Sequence, residues 1–401
     1  MRKHRAAIAL SVTALVVAIL GQTSVGTAAV GAVRVALFAE NSAKVNGIQA
    51  SRRPTPGRLV PLNARGKLPS SVLPNRGIPG GFTHTLIVSP DPDPVEAGRS
   101  LREVVSGIAD PSATNSFLVK IEPGLYDLDA HSLTLRPYVD IEGSGQGVTT
   151  ITSTISGGSG TVVGANNSEL RFVTVKNTGG PGEGPQVAAL FSEGTSPRYT
   201  HLTAVASGGT ENDAIHISNG APVLSYVTAS ASGGSRSTGV ANFGGLLTAA
   251  NSTLSAADAA NTNLGVLSTF GGTIRAANST ITAAGGVIAV GVRTNNGTHT
   301  LTDVTSSASG ATESYGIYNG WRVAAPVVNA HQSRISGGTY SIFSIGGAIQ
   351  VGASQLTGPA GTFNFGSVRC AASYDGTFNP LSQGCALSAI ASGPASSRRE
   401  R

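Results

Sequence analysis

Bulk and charge are both scarce in this 401-residue chain: 5% of its residues are aromatic, 12% are charged, and Trp and Met occur once each. That scarcity excludes a core of large aromatic side chains and leaves little material for long amphipathic helices. Cysteine is limited to Cys370 and Cys385, with no histidine close by, which disfavours a thiolate metal centre. Beyond the first 29 residues no apolar run is long enough to cross a bilayer. What is abundant is small: 53 Gly, with Ala, Ser, Thr and Val filling most other places, which suits thin stacked layers.

The net charge of +6 misleads, because residues 1–76 hold eleven Lys and Arg against the single acid Glu40. The remainder carries 16 basic and 20 acidic residues, a balance of −4. The basic excess lies in a leader and an arm with few interleaved aromatics, so no nucleic-acid partner is expected. Residues 1–29 read as an export signal: a basic start at Arg2, Lys3 and Arg5, an apolar run from Ala6 to Leu20, and small residues Thr27, Ala28 and Ala29 for cleavage. The rival reading is a retained anchor, for which about 15 apolar residues is short. A secreted or surface location makes a Cys370–Cys385 disulfide the natural expectation, with two free thiols as its alternative.

Residues 30–81 are dense in Pro, Arg and Gly, show no sustained period, and read as an arm or linker. Within them, 38–50 and 62–74 resemble segments that precede the main domain in secreted proteins of high-GC Gram-positive bacteria and in phage tail-fibre shafts. That resemblance implies an attachment or assembly arm. A folded domain is expected over 82–387. Leu101, Val104, Val105 and Ile108 have the spacing of one apolar helix face, suited to covering the open end of a strand stack. Strands are expected at 85–89, 117–126, 138–145 and 148–152, the second running into a Pro-Gly turn.

The chain then repeats. Leu190, Ile215, Val240, Val266, Val292, Ile317 and Ile342 follow one another at steps of 25, 25, 26, 26, 25 and 25. Thr203, Thr228, Thr253, Thr280 and Thr305 form a second ladder, with glycine-bearing turns about five residues beyond most of them. A segment of about 25 residues holds roughly three short strands and cannot bury its own apolar face. Stacked at about 4.8 Å, such coils exchange backbone hydrogen bonds and line up like side chains, so seven give a rod section of roughly 34 Å. The Leu/Ile/Val file is expected to face inward. The Thr file faces either inward beside a corner or outward as a β-branched row. After about 362 the period lapses, and Phe363, Phe365, Tyr374 and Phe378 with the cysteine loop read as a C-terminal cap; 388–401 reads as a disordered tail.

The order strand, helix, strand with Pro-Gly-x-Tyr (Pro123 to Tyr126), strand with Gly-x-Gly (Gly143 to Gly145) resembles the first coils of pectin-lyase-like proteins, including pectin methylesterases, over about 70 residues. The resemblance implies an all-β, single-stranded right-handed parallel β-helix with an N-terminal capping helix. It concerns architecture, because the paired aspartates, arginine and glutamines of the methylesterases do not appear. Glu211, Asp213 and His216 faintly resemble the Asn-Thr-Asp-Gly stretch of polygalacturonases, but the later motifs of that family are absent. Calcium-assisted elimination needs clustered carboxylates, and Glu193, Glu211, Asp213, Asp258, Asp303 and Glu313 are single and dispersed. His201 and His216 sit at unlike offsets from the ladder, His299 and His331 are isolated, and no metal or cofactor is expected. The Asn-Ser-Thr triplets at Asn251 and Asn278 match a glycosylation acceptor but fit equally as strand-and-turn residues. Tyr199 and Tyr226 fall at nearly matching positions of adjacent coils. Tyr315, Tyr318 and Trp321 cluster in the sixth, where they could stack on sugar rings or serve as packing. The leading expectation is a non-catalytic exported β-helix, monomeric or trimeric, that binds polysaccharide or a cell-surface glycan. Its rivals are a divergent polysaccharide lyase or glycoside hydrolase using Glu211, Asp213 and His216, and a structural fibre segment.

Overall fold

The computed structural model describes residues 44–45, 48–49, 81–180, 186–320 and 326–387. The leader 1–29, most of the arm, Trp321 and the tail 388–401 lie outside the described residues. The chain divides into two units, Met1–Gly81 and Phe82–Arg401. In the first, Lys44–Val45 pairs antiparallel with Ile48–Gln49.

The second unit is a parallel β-solenoid of about nine turns. Each coil contributes a strand to each of three parallel sheets. Sheet I includes Gln186–Glu193, Glu211–Ser218, Arg236–Phe243, Thr262–Thr269, Ile288–Thr294 and Glu313–Asn319. Sheet II includes Leu246–Ala250, Thr273–Ala277, Thr298–Thr302 and Val327–His331. Sheet III includes Thr253–Ala257, Thr280–Ala284 and Thr305–Ser309.

The apolar ladder is a single file. Leu190, Ile215, Val240, Val266, Val292, Ile317 and Ile342 are consecutive register partners in sheet I, and all are fully buried. The file runs further than the repeat suggests, through Leu133 and Val162 before it and Ala360 after it. Stacking like on like fills the narrow interior with side chains that no single coil could bury. The threonine ladder is also one file, in sheet III. It faces outward, since its residues are half-buried or exposed while Ala204, Ala229, Leu254 and Ile281 beside it are buried.

The corner from sheet II to sheet III explains the Asn-Ser-Thr triplets. Asn251 and Asn278 adopt φ of 51° and 48°, the left-handed conformation that asparagine tolerates better than most side chains. The following serines turn inward, and the threonines begin the outward file. Ser279 Oγ accepts the Ser252 N–H at 3.1 Å and donates to the Ala277 carbonyl at 2.7 Å, and Ser252, Ser333 and Ser354 repeat the device. In sheet I, Gly239, Gly265, Gly291 and Gly316 form a file that leaves no room for a side chain. A Cβ on Gly265 would meet Ile281 Cγ2 at 2.6 Å and the Gly291 carbonyl at 2.7 Å.

The helix α1 spans Pro94–Gly107; Asp93 caps it by accepting the Val95 N–H, Pro94 sits in its first turn, and it packs against Gly124–Asp127. Leu101 and Val105 of the expected apolar face are buried, but Val104 is half-buried and Ile108 lies just past the helix as its C-cap. The C-terminal cap differs from expectation in its means. The Cys370–Cys385 disulfide is formed and both its residues are buried, whereas Phe363, Phe365, Tyr374 and Phe378 are exposed. Cys370, Cys385 and half-buried Leu381 pack with the core, whereas these four rings do not. No helix among the described residues is long and apolar enough to cross a membrane.

Candidate functional site

The outer face of sheet I gathers most of the chemistry-bearing residues that the sequence singles out. A regular strand sends alternate side chains to opposite faces. Here the alternation breaks: Ala189 and Leu190 both enter the core, as do Ala214 and Ile215. The residues on either side of that break then project outward three apart and meet. One outer file reads Ala188, Asp213, Thr238, Leu264, Val290, Tyr315, Tyr340; the other reads Phe191, His216, Ala241, Leu267, Arg293, Tyr318, Phe343.

The N-terminal part of this face is polar. His216 Nδ1 lies 2.9 Å from Asp213 Oδ2, which also accepts from Gln186 Nε2 at 3.0 Å. The imidazole is held between the rings of Phe191 and Phe243, with centroids 5.1 and 5.0 Å away. Asp213 is completely buried, and among the described residues its Oδ1 and the Thr238 Oγ1 in the next coil have no hydrogen-bond partner. Glu211 accepts from Arg236 at 2.7 Å, so its charge is matched.

Farther along, the face becomes apolar and aromatic. Leu264, Leu267, Val290 and Tyr315 form a buried cluster onto which Phe243, Ile288, Tyr318, Tyr340 and Phe343 pack half-buried. Tyr315 meets Tyr318 edge-on at 5.1 Å, and Tyr340 lies 4.8 Å from Phe343. The Tyr315 hydroxyl donates to Glu313 at 2.9 Å. Burial first, and then that carboxylate, raise its pKa; burial also raises that of Tyr318. The Arg293 guanidinium lies over the Tyr318 ring, 5.5 Å from its centroid.

The structure therefore brings Asp213 and His216 into contact, with Glu211 two residues away and paired to Arg236, and Tyr315 with Tyr318, on one face; Trp321 is outside the described residues. Tyr340 and Phe343, which sequence reasoning misses, stand at the same offsets from Ile342 as Tyr315 and Tyr318 do from Ile317. Tyr199 and Tyr226 do not share a face. Tyr199 is buried and pairs in register with Leu224, its hydroxyl 3.2 Å from Ser192 Oγ. Tyr226 sits at the left-handed corner, φ 56°, and stacks on His201, which stacks on Phe172. Their near-coincidence in sequence spacing hides this difference, because one lies in a strand and the other turns the corner. Among the described residues no group of three or more His, Cys, Asp or Glu side chains is placed to hold a metal ion.

No family model and no curated protein matches the sequence. Solved structures with a similar chain path include a Geobacillus virus E2 protein, at 10% identity and a TM-score of 0.41 over 72% of this chain and 61% of that one. This chain thus spans about three fifths of the phage protein's length. The A-module of an Azotobacter vinelandii mannuronan C-5 epimerase is similar at 15% identity and a TM-score of 0.34, over 71% of this chain and 97% of the module. Carrot pectin methylesterase is similar at 14% identity and a TM-score of 0.35, over 74% and 84%. These are likenesses of chain path, and none transfers its chemistry to this protein.

Proposed function

We propose that this protein is an exported, non-catalytic β-helix that binds a glycan along the outer face of sheet I. The observation that carries the reading is the strip of half-buried rings at Tyr318, Tyr340 and Phe343, continuous with the polar group around His216. Flat apolar rings beside hydrogen-bonding groups match the two kinds of surface on a sugar ring. The leader at 1–29 and the disulfide support an extracytoplasmic setting.

The arrangement of carboxylates speaks against hydrolysis. A glycosidase places two accessible carboxyl groups about 5 to 9.5 Å apart across the scissile bond. Here Asp213 has no exposed surface and Glu211 is paired with Arg236. Glu313 stands four strands away from Glu211 in the same file, on the order of 19 Å. Calorimetric titration against a panel of neutral and acidic polysaccharides tests the reading. Binding to at least one is expected, with Tyr318→Ala and Tyr340→Ala together weakening it at least about tenfold, equivalent to roughly 1.4 kcal/mol. Silence across the panel, or release of shortened or unsaturated sugar from any polymer, overturns it.

A further inference from the structure

The two ends of the solenoid are finished differently, and the C-terminal end is left open. Ile342 and Ile349 are completely buried, yet their register partners in the last strand, Ala360 and Val368, are half-buried. That strand, Ala360–Ala371, pairs with Tyr340–Gly352 on one side, and among the described residues no strand pairs with its other edge. Cys370 shows which groups the free edge presents. Its N–H donates away from the preceding coil, to the Gln383 carbonyl at 2.9 Å, so by the alternation of a strand the N–H and C=O groups of Val368 and Gly366 face the same way. The same end carries exposed apolar bulk at Phe363, Phe365, Tyr374, Phe378 and Leu387.

An open strand edge is completed by another strand. We propose that the protein forms a two-fold dimer through this edge, with Ala360–Ala371 of one copy running antiparallel to the same strand of a second copy. With the axis at Ser367, Gly366 of each copy faces Val368 of the other and the two exchange both backbone hydrogen bonds, while Phe365 faces Arg369. A guanidinium is attracted to an aromatic ring, and among the described residues no carboxylate reaches Arg369, so the strand is complementary to itself and the contact occurs twice. The left-handed Asn364, φ 54°, and the bond from Cys370 to Gln383 bound the ladder on either side. Phe363, Phe365 and Phe378 together expose roughly 400 Å² of apolar surface. That is half of the ~800 Å² per partner typical of a stable interface, before the edge itself is counted. Head-to-tail stacking is disfavoured by the other end. There Gly124–Asp127 pairs with Thr149–Ser153 alone, and α1 packs on it so closely that a Cβ on Gly98 would meet the Asp127 carbonyl at 2.0 Å. A helix rather than a pairable strand therefore meets anything stacked at that point, and the assembly closes as a dimer instead of growing into a filament. Residues 388–393 are a poorer cover for the open end, with Ile390 their one large apolar side chain before Pro394.

Sedimentation equilibrium of the full, oxidised chain over a range of concentrations tests the proposal, with hydrogen exchange measured on the same samples. A monomer–dimer equilibrium is expected, in which the amides of 365–369 gain protection as the dimer forms and those of Glu313–Asn319 do not change. Phe365→Lys sets an ammonium against Arg369 of the second copy and is expected to weaken association at least about tenfold. Adding Arg369→Glu to that variant replaces the repulsion with an opposite-charge pair and is expected to restore at least about threefold. Both positions are exposed, so the variants keep the fold, which circular dichroism checks. Phe270→Lys alters a similarly exposed ring elsewhere on the solenoid and is expected to leave association unchanged. A monomer at every concentration, growth beyond the dimer, or association undiminished by Phe365→Lys overturns the proposal. So does the absence of recovery in the double variant, or protection gained on sheet I in place of 365–369. A chain that dimerises only after 388–401 is removed assigns the edge to its own tail and overturns it as well.

Discussion

At the scale of single residues, the interior is unforgiving because every side chain is framed by the coils above and below. Gly265 shows this most directly. With Ile281 Cγ2 and the Gly291 carbonyl both under 3 Å from any added Cβ, Gly265→Ala must push two strands apart. A loss of about 1–3 kcal/mol in urea denaturation is expected. His299 imposes a different constraint. Its Nδ1 accepts the Ile274 N–H at 3.2 Å, its Nε2 N–H donates to the Asn296 carbonyl at 2.8 Å, and burial lowers its pKa from 6.5 to about 4. The native ring stays neutral where the unfolded chain takes up a proton, so its contribution is complete above pH 6.5 and is lost as pH falls toward 4. Across that window wild-type stability is expected to drop by about 3 kcal/mol relative to His299→Gln. A flat difference between the two proteins would contradict the burial of a neutral imidazole.

At the scale of elements, strands, corners and glycines repeat in register, and the repeated hydrogen bonds make the corners as specific as the core. Ser279→Ala removes the acceptor of the buried Ser252 N–H and is expected to cost about 1–2 kcal/mol by thermal or urea unfolding. Valine at 227 and 304 of the same file limits the effect to the hydrogen bond, since the corner already accommodates an apolar side chain. The inward file was legible because one β-branched or aliphatic residue recurs in each coil, and the threonine file repeats with nearly the same period. The candidate site was legible only in fragments. Asp213 and His216, or Tyr315 and Tyr318, stand three apart, a separation that places side chains on opposite faces of a regular strand. Only the doubled inward position at 189–190 and its successors brings them together, and small residues such as Ala189 and Gly265 do not announce a bend. Tyr199 and Tyr226 mislead for the converse reason: similar offsets put one in a strand and the other at the left-handed corner.

At the scale of the molecule, each coil touches chiefly the coils before and after it, so stability is distributed along the axis as a sum of neighbouring interfaces. The two ends are unequal. The start lies against α1 with Leu101 and Val105 buried, while the last coil leaves Phe363, Phe365 and Phe378 exposed and relies on the Cys370–Cys385 bridge. A disulfide closing 15 residues contributes about 3 kcal/mol. In a one-dimensional stack that contribution is felt locally. Reduction is therefore expected to free the amides of 370–387 and then of 360–369 to hydrogen exchange, while those of Glu211–Ser218 through Ile288–Thr294 keep their protection. Mass-spectrometric exchange with and without reductant distinguishes this from a globally cooperative rod, in which every coil would lose protection together. A local response also implies that the sheet I face keeps its geometry under reducing conditions, so that ligand binding there is unchanged by reductant.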